Sequence, residues 1–122
     1  MAANIPLQAD QGATFRQVLN FTNPDLSAVV FTGCSGKMQV RPAFNSTVVT
    51  ETLTDANGGL TFALGSVTML LSATLTAAIP VIPSKTYPPS LVYYYDLLIT
   101  FPSGDTNKYA YGTFTVVGTI TH

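Results

Sequence analysis

A chain of 122 residues fits one domain and buries one core. Only 9% of its residues are Asp, Glu, Lys or Arg, against roughly 25% in an ordinary soluble domain. Hydroxyl and amide side chains, or other protein, must therefore cover the surface, which favours a permanent assembly over a solitary monomer. The net charge of −1 offers no cluster of Lys and Arg for phosphates, so nucleic acid is excluded as an expected partner.

The expected organisation is a single domain over residues 1–122, with 1–10 as an extended N-terminal arm. "MAANIPLQADQG" has neither a basic region nor an apolar segment and does not read as a signal peptide. The sequons at Asn20 and Asn45 are therefore read as chance. In "TFRQVLNF", Phe15, Leu19 and Phe21 share one face and Arg16 and Asn20 the other, the period-two signature of a half-buried strand. Gly33 and Gly36 in "FTGCSGKMQV" read as a bend before the next strand, where Met38 and Val40 point inward and Lys37, Gln39 and Arg41 outward.

"STVVTETLT" reads as a strand that ends at the turn "DANGG" and pairs as a hairpin with "GGLTFALG", in which Leu60, Phe62 and Leu64 are expected to face inward. Ser72 is a plausible N-cap for a short helix near 72–79, which Pro80 stops. The run 67–83 is too short and too interrupted for a membrane span. "VIPSKTYPPS" holds three prolines and reads as an extended connection. In "LVYYYDLLITF" the odd positions Leu91, Tyr93, Tyr95, Leu97, Ile99 and Phe101 form one continuous apolar face. "PSGDTN" is a turn, and "KYAYGTFTVVGTI" returns with Phe114 and Val116 on one face and Thr113 and Thr115 on the other.

These elements predict an all-β fold: an immunoglobulin-like antiparallel β-sandwich of about 6–8 strands with one short helix. Its shared core is expected to contain Phe15, Leu19, Met38, Val40, Phe62, Tyr95, Leu97, Ile99, Phe114 and Val116.

The residues hold no evident catalytic constellation. His122, the single histidine, is the last residue, and without it no Ser/His/Asp or Cys/His arrangement can be built. Cys34 reads as a small buried hydrophobe. Asp10, Asp25, Glu51, Asp55, Asp96 and Asp105 are scattered, with no EF-hand spacing, and one Cys with one His cannot make a structural zinc site. The glycines around Cys34 lack the Walker spacing. The expectation is a non-enzymatic chain with no cofactor and no metal.

Five of the six tyrosines fall within residues 93–112, and they read first as cross-strand packing in a long C-terminal hairpin. On that hairpin Tyr94 and Asp96 face away from the core, with Lys108 near the returning end. These three are the candidate partner-binding residues. A carbohydrate platform built from the tyrosines with nearby Asp and Asn is the alternative.

Gln11 to Thr14, Met38 to Arg41, Thr76 to Ile79, Tyr93 to Leu97, Pro102 to Gly104 and Gly112 to Val116 match, in order, the motifs of a known family. The chain resembles the small immunoglobulin-like domain of tailed-bacteriophage virion proteins, including the N-terminal domain of baseplate upper proteins. The resemblance spans nearly the whole chain and departs from the pattern at residues 23–36 and 80–90. It implies a tail or baseplate adaptor that links the tail or neck to fibres or receptor-binding proteins. Its partners would be other virion proteins and further copies of itself, without membrane or nucleic acid, in a particle assembled in the host cytoplasm. A capsid-decorating or head-fibre protein, or a receptor- or carbohydrate-binding module, are the alternatives.

Overall fold

The computed structural model describes residues 2–81 and 89–118. The strands are β1 (Ala3–Asn4), β2 (Leu7–Asp10), β3 (Phe15–Asn20), β4 (Ser35–Arg41), β5 (Glu51–Thr54), β6 (Leu60–Ala63), β7 (Ser66–Leu71), β8 (Ser90–Thr100) and β9 (Thr106–Val117), with the single short helix α1 (Ala73–Ala77) between β7 and β8. They form two sheets. The larger has the order β1-β9-β8-β4-β5, with β2 also pairing β9; the smaller has the order β3-β7-β6. Packed face to face, they make an all-β sandwich.

Alternation in the sequence becomes alternation in space. Phe15 and Leu19 from β3, Met38 and Val40 from β4, Tyr95, Leu97 and Ile99 from β8, and Phe114 and Val116 from β9 are all buried in one cluster. The Phe15 and Phe114 rings meet edge to face across the sheets, with centroids 5.1 Å apart, a geometry that adds to the burial of their area. Phe62 is only half-buried against this cluster. Its ring stacks on Phe31 at 5.5 Å.

Residues 1–10 were expected as an arm, and among those described the chain is extended. It does not hang free: β1 and β2 run parallel to β9, with Leu7 opposite Phe114 and Ala9 opposite Val116. Leu7 and Ala9 are buried, so the segment belongs to the core and makes the sandwich partly parallel rather than wholly antiparallel.

The expected hairpin at "DANGG" is not one. Its turn chemistry is present: Asn57 Oδ1 accepts from the Thr54 and Gly59 amides, Asn57 Nδ2 donates to the Thr52 carbonyl, and Gly58 has φ +80°. Yet β5 pairs only with β4, and β6 pairs with β7. The turn carries the chain from one sheet to the other, and Gly59 passes so close to Leu53 that a Cβ there would sit 2.8 Å from the Leu53 Cβ. The true hairpin is β6–β7, turning at Leu64 and Gly65, so Leu64 is 73% exposed instead of inward.

Three further expectations are revised. Residues 46–50 lie outside any strand, and β5 begins at Glu51. Gly36 is inside β4 rather than in the bend, because the Phe62 ring leaves no room for a side chain: a Cβ would fall 2.7 Å from the Phe62 Cζ. Cys34 is half-buried, not fully buried. The proline-rich connection at 82–88 and His122 lie outside the described residues.

Helix α1 forms where Ser72 predicts it, with the Ser72 hydroxyl accepting from the Leu75 amide. The helix ties the two ends of the N-terminal strands together. Thr76, fully buried, accepts from the Gly12 amide at 3.1 Å and donates to the Ala13 carbonyl at 2.7 Å. Gln11 Nε2 donates to the Ile79 carbonyl. The "QGAT" and "TLTAAI" segments of the sequence thus meet through hydrogen bonds between side chains and backbone.

Candidate functional site

Strand β8 divides its tyrosines by parity. Tyr93 and Tyr95 point inward and use their hydroxyls to satisfy backbone carbonyls, of Pro80 and Ile5 respectively. Burial pushes the Tyr95 phenol up to about 12 and raises that of Tyr93. They are structural. Tyr94 and Asp96 project from the opposite face of the sheet, with Tyr94 38% exposed.

Lys108 joins them because of a register shift. Leu97 pairs with Ala110, but Leu98 pairs with Lys108, so Tyr109 is an extra residue in β9. The bulge turns Tyr109 inward, where its ring meets Phe21 at 5.2 Å and Phe31 at 5.7 Å. Lys108 is left on the outer face. Its Nζ stands 3.9 Å from Asp96 Oδ2 and 5.8 Å from the centre of the Tyr111 ring. Both partners of the ion pair are well exposed, so its contribution to stability is at most about 1 kcal/mol. The three candidate residues are thus brought to one face, but Tyr94 stands a row away from the ion pair, opposite Thr113.

The nearer neighbours of Tyr94 come from the other side. Arg41 is its register partner on β4. Phe44, on the 42–50 loop, sets its ring edge to face against Tyr94 with centroids 6.4 Å apart, and is 85% exposed. Gln39, Arg41, Phe44, Tyr94, Asp96 and Leu98 line an open cleft of about 220 Å³. Arg41 is held rigid: one guanidinium nitrogen donates to the Ser46 carbonyl at 2.6 Å, the other to Gln39 Oε1 at 2.8 Å. That leaves three of its five N–H donors for an incoming group among the described contacts. Phe44 and Arg41 carried no sequence signal as site residues, because the loop has no periodicity and Arg41 reads as an ordinary solvated strand position.

A second exposed apolar surface lies elsewhere. Residues 21–29 form a closed loop: the Asn23 amide donates to the Ser27 carbonyl, the Leu26 amide to the Asn23 carbonyl, and the Val29 amide to the Phe21 carbonyl. At its tip Leu26 is 82% exposed and takes φ +71°, the left-handed region. It is the single non-glycine residue with positive φ among those described. Val30 and Leu64 are exposed together beside the β6–β7 turn, where the Gly65 amide bonds the Val29 carbonyl.

In the described residues, no group of three or more His, Cys, Asp and Glu side chains comes together. Desolvation raises the Cys34 thiol, the reverse of what an activated nucleophile needs. No helix among the described residues is long and apolar enough to cross a membrane. Comparison with protein-family models and with curated proteins finds no match for this chain.

Proposed function

We propose that this chain is a non-enzymatic structural adaptor of a tailed-bacteriophage virion, an immunoglobulin-like domain placed at the tail or baseplate, with capsid decoration as the other position in the particle. The observation that carries the adaptor reading is the pair of exposed apolar surfaces on a chain with so few charges. One is the Phe44–Tyr94 cleft on the outer face of the larger sheet; the other is the tip of the Leu26 loop. An adaptor needs two separate docking surfaces, and exposed apolar groups rimmed by polar side chains are what such surfaces offer. The phage placement rests on the order of the sequence motifs.

The aromatic pair beside Asp96, Gln39 and Arg41 favours one second reading, a carbohydrate-binding module. The two readings differ in what covers Tyr94. The test is the double substitution Tyr94→Ala with Asp96→Ala in the phage genome. Particles that lack the chain, while the isolated variant stays folded, support the adaptor. Normal particles that no longer attach to host cells overturn it in favour of the carbohydrate module.

A further inference from the structure

We propose that copies of this chain join head to tail, the Leu26 loop of one copy seating in the Phe44–Tyr94 cleft of the next. The inference rests on the reading of that outer face as a covered docking surface and names the occupant as a second copy.

The Leu26 loop is built as a projection. Its tip is fixed by the Asn23 and Leu26 backbone bonds and by Asp25, whose carboxylate accepts from both the amide and the hydroxyl of Ser27. A branched side chain at φ +71° is strained, by about 1 to 3 kcal/mol. That strain serves nothing inside the fold, since the Leu26 side chain is almost wholly in solvent. It does hold an apolar knob outward on a backbone already fixed by the loop, so that only the side chain is left to order on docking.

The cleft has the complementary properties. A cavity of about 150 Å³ accommodates benzene, so about 220 Å³ accommodates one leucine side chain with room for a flanking group. The Phe44 and Tyr94 rings supply apolar walls. Charge matches as well. Asp25 flanks the knob, and the hydrogen bonds from Ser27 hold its carboxyl below the ordinary range, so it is ionised at neutral pH. The cleft offers the spare guanidinium donors of Arg41, while the one carboxylate that lines it, Asp96, is already paired with Lys108.

A loop cannot fill the cleft of its own chain. Leu26 lines the same open hollow as Asn107, which pairs with Ile99, five residues along β8 from Tyr94 or about 17 Å at roughly 3.4 Å per residue. Knob and cleft are different surfaces, so the contact is heterologous and continues into a ring or a row.

Leu26→Gly removes the knob and relieves its strain; Phe44→Asp places a negative charge against the incoming Asp25. Sedimentation of the wild-type chain should show mass rising with concentration, and each variant alone should associate at least about tenfold more weakly. An equimolar mixture of the two variants should form dimers and stop there, because one intact knob and one intact cleft remain to meet. Circular dichroism and the melting temperature verify folding, and Phe44→Ser replaces Phe44→Asp should the latter unfold. A wild-type chain that stays monomeric, variants that associate like wild type, or a mixture that forms no dimer each overturn the proposal. If the wild-type chain is monomeric and Phe44→Asp still drops out of particles, the occupant is a different virion protein, and the adaptor reading stands without the self-contact.

Discussion

Replacing Thr76 by valine keeps the shape of the side chain and removes its hydroxyl, which makes it a direct probe of the joint between the N-terminal strands and helix α1. The hydroxyl accepts from the Gly12 amide and donates to the Ala13 carbonyl, with the Ala73 carbonyl 3.1 Å away as a second acceptor. Two hydrogen bonds are worth about 0.5 to 1.5 kcal/mol each in net stability, and a donor or acceptor stranded in a buried place costs about 1 to 3 kcal/mol. Thr76 is fully buried. The Ala13 and Gly12 backbone groups recover only part of their bonding from water at the partly exposed turn. The expected loss is therefore about 2 to 4 kcal/mol. Thr76→Ser keeps the hydroxyl and loses one methyl group, for about 1 kcal/mol. Urea unfolding followed by tyrosine emission measures both. With a slope near 1.5 kcal/mol per molar urea, valine should lower the midpoint by roughly 1.3 to 2.7 M and serine by about 0.7 M. Equal effects from the two substitutions would refute the argument, because the methyl group and not the hydroxyl would then carry the stability.

The raised Tyr95 phenol makes the fold alkali-sensitive. Its neutral form is stabilised in the folded chain, so this contribution is complete below pH 10 and is lost as the pH rises towards about 12. Tyr95→Phe should flatten the stability profile over that window, while losing the bond to Ile5 costs it about 1 kcal/mol at neutral pH. Tyr95→Ala should cost about 3 to 5 kcal/mol in the same unfolding experiment. Gly36→Ala pushes against the Phe62 ring and the Leu60 Cδ1 and should destabilise by about 1 to 3 kcal/mol, with crystallography of the variant showing the Phe62 ring displaced. Asp96→Asn breaks only the exposed pair with Lys108, and its melting temperature should stay close to that of the wild type at any ionic strength.

What could be read from the residues was whatever one strand dictates by itself. The parity of β8 placed Tyr93 and Tyr95 inside and Tyr94 and Asp96 outside, since a strand alternates regardless of its neighbours. Ser72 announced the helix because capping is a contact between residues three apart. Failures arose where pairing is decided at long range. "DANGG" has every local property of a hairpin turn, and nothing near it reveals that β5 is held by β4 and β6 by β7. Strand β7 was hidden because Leu70 fills an outward position and blurs the alternation of Val67, Met69 and Leu71. The candidate site was half legible: Tyr94 and Asp96 followed from parity, whereas the place of Lys108 depended on the bulge at Tyr109, and Phe44 on a loop without a pattern.

Strand β2 adds to the edge of β9, the last described strand, across more than a hundred residues of chain. Its register partners Phe114 to Val117 are among the final described positions. On a ribosome residues 7–10 must therefore wait, with Leu7 and Ala9 unburied, until Phe114 to Val117 have emerged. Closure of so large a loop is entropically costly and sits late in the folding reaction, which places the domain among the slow, high-contact-order folders. Meanwhile the open side of β9 is an unpaired edge, and a segment from another nascent chain can add to it in place of β2. Misassembly by exchange of β1 and β2 between copies is then the characteristic failure of this fold. Shortening the chain before Val117 should raise the proportion of aggregate, measured as insoluble protein per chain synthesised, far more than a deletion of equal length from the 42–50 loop.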